Sequence, residues 1–157
     1  HFLNITDTAA LLVLHDGAVV HEQYRLTGGP DVQWMSMSVA KSFISALVGI
    51  AVEQGHIRSI HDPISDYIEA EPGSAYDGVS IKDVLQMSSG ARWNEDYSDP
   101  TSDITRLGAA MGEGGSLDRF VATSVPDVPP GTVCQYNSTD TQALGALLVR
   151  EIGRAHV

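Results

Sequence analysis

The sequence predicts an α+β fold: a short antiparallel hairpin followed by a mostly helical region, with part of a sheet missing. Three observations predict it. Two strand-like runs flank Asp16-Gly17, a long proline-free apolar segment opens at Ser38, and a second apolar helical pattern runs from Thr139 to Ile152. The 157 residues suit one domain with a real core.

The elements follow in order. Ala9–Leu14 is an apolar run, and Ala18-Val19-Val20 leads into His21-Glu22-Gln23-Tyr24, so strand, turn and strand are expected over roughly residues 9–25, with Asp-Gly supplying the positive φ angles that a tight hairpin turn requires. Thr27-Gly28-Gly29-Pro30-Asp31 breaks the pattern into a loop. From Ser38 to Gln54 the residues are apolar almost all the way round, which predicts a helix about 25 Å long and buried on most faces. Gly55 stops it. Pro63 opens a short helical turn, and Ser80 caps a helix over Ile81–Met87 with Asp83 at the capping-box position. Two short helices are expected near Ile104–Met111 and Leu117–Thr123. Pro126, Pro129, Pro130 and Gly131 form a rigid loop before the last helix. Because the chain starts at His1 and stops at Val157 straight after a helical pattern, we read it as part of a longer protein.

Composition narrows the function classes. Nine basic residues against twenty acidic ones give a formal charge of −11, so binding of nucleic acid through a basic patch is excluded. No apolar run reaches the length of a membrane span. One cysteine, Cys134, rules out an internal disulfide framework and is expected to be a small buried hydrophobe. The six histidines show no zinc-binding spacing, and no Gly-x-Ser-x-Gly elbow is present. Glu95, Asp96, Asp99 and Asp103 cluster without calcium-loop spacing and read as a solvated loop.

Ser38-Val39-Ala40-Lys41 carries the chemistry. Residues three apart share a helical face, so the lysine amine can reach the serine hydroxyl. Burial in an apolar helix would favour the neutral amine, a general base beside a nucleophile. The helix N-terminus would add backbone N–H groups beside a developing oxyanion. Lys41 is one of only two lysines in the chain. Tyr136-Asn137-Ser138, on a loop before a helix, offers a phenol able to relay protons.

These stretches resemble the serine β-lactamase-like, penicillin-recognising family, and most closely its class C-like branch of esterases, D-amino-acid peptidases and 6-aminohexanoate-dimer hydrolases. Trp34 to Phe43 resembles the nucleophile motif with its lead-in, and Asp62 to Tyr67 the segment after the nucleophile helix. Ile81 to Gly90 is similar to the family's "LL-x-M-x-SG" stretch, and Trp93 to Tyr97 to the segment next along the chain in the nylon-oligomer branch. Pro130 through Gly145 resembles the tyrosine loop and its helix, with Tyr136 98 positions after Ser38.

The resemblance implies that residues 1–157 are the N-terminal portion of a single serine β-lactamase-like domain, a partial β-lactamase/transpeptidase-like fold with its C-terminal strands missing. It makes Ser38 the acylated nucleophile, Lys41 the base and Tyr136 the proton shuttle. Asn137, Ser138, Trp93 and Tyr97 are the expected substrate-binding residues. The motif is usually Tyr-x-Asn, whereas Ser138 stands third here. A third motif, Lys or His followed by Thr or Ser and then Gly, is absent and is expected beyond Val157. The partner is a small ester or amide, and no metal or organic cofactor is required. The alternative is a non-catalytic relative serving as a binding or regulatory module.

Overall fold

A computed structural model describes residues 6–26, 29–112 and 114–153. The expected loop positions Thr27 and Gly28 lie outside them. The chain divides into two units, residues 1–37 and 38–157.

The first unit is the predicted hairpin. Strands β1 (Ala10–His15) and β2 (Ala18–Tyr24) pair antiparallel. Asp16 (φ 51°) and Gly17 (φ 77°) both take the left-handed backbone that the tight turn demands. The register runs from Ala10 opposite Tyr24 to Val13 opposite His21, then slips by one residue so that Leu14 faces Val19. His15 and His21 are exposed.

The second unit holds five helices among the described residues: α1 (Ala40–Glu53), α2 (Ile81–Leu85), α3 (Asp103–Gly112), α4 (Leu117–Ala122) and α5 (Ser138–Ile152). Helix α5 is the hub, packing against α1, α2 and α4. Ala143, Leu144, Ala146, Leu147 and Leu148 recur at helical spacing and are buried, and the small alanines let its neighbours approach. Ile57, Ile64, Tyr76, Ile81, Val84 and Val121 complete the core. Each fully buried aliphatic side chain there contributes about 1.5–3 kcal/mol.

The predicted cap at Ser80 forms. Its Oγ accepts the N–H of Asp83 at 3.0 Å and donates to that carboxylate at 2.7 Å. Helix α2 stops at Leu85, short of the expected Met87, because Met87 turns into the left-handed region (φ 55°).

Two expectations are corrected. Helix α1 is not buried on most faces: only Val48 and Ala51 are fully buried, whereas Phe43 is 65% and Ile50 49% exposed. Its chief helical neighbour is α5, and one neighbour covers one stripe, running through Ile44, Val48, Ala51 and Val52. Cys134 is exposed rather than buried, since it lies in irregular chain ahead of α5.

Candidate active site

Ser38 sits in a 3-10 turn (Met37–Val39) that leads into α1, rather than in the α-helix itself. The residue before it, Met37, has φ 46°, a conformation that costs a side-chain-bearing residue energy and clusters at functional sites. Val39 offers α1 no side-chain cap. One turn on, Lys41 Nζ donates to Ser38 Oγ at 3.2 Å. The spacing therefore delivers the predicted contact. The premise of a deeply buried lysine does not hold, because Lys41 is half-buried on a helix with an open flank.

Tyr136 is brought to the same oxygen by a loop fixed at many points. Gly90 accepts the N–H groups of Asp127 and Val128 at 2.8 and 3.2 Å, and Gly131 N–H donates to Ser88 O at 2.8 Å. Gly90 has to be glycine: its φ is 80°, and a Cβ there would lie 2.1 Å from Val128 O. Closer in, Met87 holds both neighbours of Tyr136. Its carbonyl accepts Gln135 N–H at 2.8 Å and its Sδ accepts Asn137 N–H at 3.3 Å. Gln135 Nε2 adds a bond to Trp93 O at 2.9 Å.

The Tyr136 hydroxyl then donates to Ser38 Oγ at 2.6 Å, and Lys41 Nζ stands 5.1 Å from the ring centroid. As a phenolate, Tyr136 would instead accept from Ser38. That hydrogen bond first, and the Lys41 amine beside it, hold the phenol below its ordinary pKa of 10.0 against the opposing effect of desolvation. Ser38 Oγ thus lies under two groups that can exchange a proton with it.

The expected substrate-binding residues separate. Tyr97 is 75% exposed, with its hydroxyl donating to Glu95 Oε1 at 3.0 Å. Trp93 is buried and its indole N–H donates to Glu95. Asn137 is buried too. Its Oδ1 caps α5 by accepting Thr139 N–H at 2.8 Å, and it lines a small cavity of about 60 Å³ with Trp93, Arg106, Phe120 and Thr139. Ser38, Lys41 and Tyr136 do not line that cavity. Ser138 Oγ donates to Glu95 Oε1 at 2.7 Å.

Sequence reasoning missed Glu95 and Met87. Glu95 is half-buried, and its carboxylate reaches across to Ser138, 43 positions along the chain. Asp96 and Asp99 bind N–H and hydroxyl groups of Ser98 and Thr101 within their own loop, which holds both carboxyls below the usual range. The alternation Trp93-x-Glu95-x-Tyr97 was the available signal, placing a carboxylate between two aromatic donors. Among the described residues no group of three or more side chains could hold a metal ion, and no helix is long and apolar enough to cross a membrane.

The sequence profile of the Beta-lactamase family matches residues 5–155. The chain belongs to the Beta-lactamase family. It is 34% identical over 162 residues to a 6-aminohexanoate-dimer hydrolase of Paenarthrobacter ureafaciens, covering 99% of this chain and 41% of that protein. The chain therefore spans about two-fifths of the curated relative's length. Among solved structures, a Bacillus anthracis protein named as a 6-aminohexanoate-dimer hydrolase superposes with a TM-score of 0.77 at 20% identity, over 98% of this chain and 42% of the other. An octameric penicillin-binding protein homologue from Pyrococcus abyssi gives 0.66 at 20% identity, over 92% and 35%. The α+β, β-lactamase-like fold expected from the motifs is the fold observed, and the resemblance to the 6-aminohexanoate-dimer hydrolase branch holds.

Proposed function

We propose that the protein is a serine hydrolase that forms an acyl-enzyme through Ser38 on an ester or amide. One observation carries this reading: Lys41 Nζ and the Tyr136 hydroxyl converge on Ser38 Oγ at 3.2 and 2.6 Å. Ser38 Oγ attacks the substrate carbonyl as its proton passes to the Lys41–Tyr136 pair. The lowered proton affinity of Tyr136 suits its phenolate to take that proton while Lys41 holds the charge balance. As the tetrahedral centre collapses, the same proton goes to the leaving alcohol or amine. Water then attacks the acyl carbonyl, gives its proton to the pair, and Ser38 leaves reprotonated.

The substrate is small, and the relative's name puts a linear amide first among the candidates. Tyr97, the exposed member of the expected set, would meet it, while Trp93, Asn137 and Ser138 support the site from behind.

A fluorophosphonate probe tests the reading. It should label the whole protein at Ser38, and Ser38→Ala should abolish labelling and turnover. A wild type that stays unlabelled, or a Ser38→Ala variant that still turns over substrate, overturns the reading in favour of a non-catalytic module.

A further inference from the structure

Glu95 lies in irregular chain between Ala91 and α3. Its carboxylate collects four donors. Oε1 accepts Ser138 Oγ at 2.7 Å and the Tyr97 hydroxyl at 3.0 Å, while Oε2 accepts Ser138 N–H at 3.3 Å and the Trp93 indole N–H. Four acceptor positions are all a carboxylate has. The donors come from two stretches 43 residues apart in sequence. Ser138 opens α5 and stands two residues after Tyr136, and Gln135, just before Tyr136, is bound to Trp93 O. The 93–97 segment thus grips the tyrosine loop on both sides of the phenol.

We propose that Glu95 is a positioning residue of this active site, tying Ser138 to the 93–97 segment so that Tyr136 stays on Ser38 and Tyr97 stays beside it. The inference rests on the acyl-enzyme reading above. It also gives Ser138 a role: its hydroxyl is committed to Glu95 rather than to a substrate amide.

A glutamine at 95 has the same size but turns an NH2 donor toward one pair of these partners, so all four stay paired only if the Ser138 and Tyr97 hydroxyls both reverse to accept. Charge adds a second effect. The groups facing Tyr136 are Ser38 from the 3-10 turn and Lys41 from α1, with Glu95 and Tyr97 from the 93–97 segment. Glu95 raises the proton affinity of Tyr136 and so opposes Lys41. Removing its charge lets the phenol ionise at lower pH.

The test is hydrolysis of a p-nitrophenyl ester by the whole protein across a pH range. Glu95→Gln should lower kcat about ten- to hundredfold, with KM changed less than about threefold, as expected when a catalytic group is misplaced. The rise of rate with pH should move to lower pH, a shift that mere loosening of the fold would not give. Ser138→Ala, which removes only the hydroxyl end of the tie, should lower kcat about three- to tenfold without moving the pH profile. The double variant should be no slower than Glu95→Gln, because both changes cut one tie.

Wild-type kcat in Glu95→Gln, an unmoved pH profile, or losses that multiply would each overturn the proposal. Should Glu95→Gln fail to fold, wild-type kcat in Ser138→Ala overturns it. A wild type that Ser38-directed probes do not label removes the underlying reading as well, whereas a labelled wild type indifferent to position 95 removes this inference alone.

Discussion

The turn that carries Ser38 and the loop that carries Tyr136 meet at one hydrogen bond of 2.6 Å, but they are held by different means. Around Ser38 the restraints are sparse: a left-handed Met37, a helix without a side-chain cap, and exposed neighbours at Val39 and Phe43. Around Tyr136 they are dense, with backbone bonds to Met87, Ser88 and Gly90 and side-chain bonds from Gln135 and Ser138. The difference teaches where each kind of change should act. Near Ser38 a substitution should alter chemistry and leave stability alone. Near Tyr136 it should alter stability first and chemistry through it.

The largest effect expected falls on the sparse side. Lys41→Arg keeps a cation one turn from Ser38 but cannot release a proton in the working pH range. It should reduce acylation by about a thousandfold, as should Lys41→Ala, within the range known for general acid–base groups. Thermal melting should shift little, since a half-buried surface contact contributes at most about 1 kcal/mol. Probe-labelling kinetics beside a melting curve measure both. An active Lys41→Arg variant would erase the contrast.

Next comes the dense side. Gly90→Ala places a Cβ against Val128 O and forces an unfavourable φ, and should cost about 3–5 kcal/mol in a urea titration. Activity should fall with stability and recover at lower temperature. A fully stable Gly90→Ala variant would mean that the loop is looser than its hydrogen bonds indicate.

The smallest effect is pH-dependent and sits beneath the loop. Asp140, fully buried in the first turn of α5, accepts the Tyr76 hydroxyl at 2.8 Å. Burial pushes its carboxyl from 3.8 up to about 6, offset in part by Ser89 and Tyr76. The folded chain therefore holds this proton more tightly than the unfolded chain does. The resulting stabilisation is complete below pH 3.8 and is lost as pH rises through about 6, amounting to about 3 kcal/mol at most. Asp140→Asn still accepts from Tyr76 and should remove this component, so variant and wild type should diverge most above pH 6. Urea midpoints at pH 4 and pH 7.5 decide it, and parallel wild-type and variant curves would refute the assignment.

Much of this was legible in the sequence because it is local. Asp16-Gly17, the Ser80 cap and the helical spacing of α5 act over a few residues, and each appears where expected. Helix α1 was placed but its environment was misjudged, since an apolar sequence states what a helix could bury and not which neighbours it has. Glu95 was read with Asp96, Asp99 and Asp103 as solvated because the four acidic residues lie close together in the sequence. That Glu95 instead reaches across is decided by donors at Ser138, 43 positions away.

The sequence alone determined that Lys41 can reach Ser38, because a three-residue step within one helical turn fixes that distance whatever surrounds it. It also determined that a tyrosine loop runs into a helix. Only the tertiary structure decided that the phenol 98 positions later lands on the same hydroxyl. That depends on Met87, Gly90 and Glu95 bringing two separate stretches together, and contacts between distant stretches follow from the packing of whole elements rather than from any local pattern.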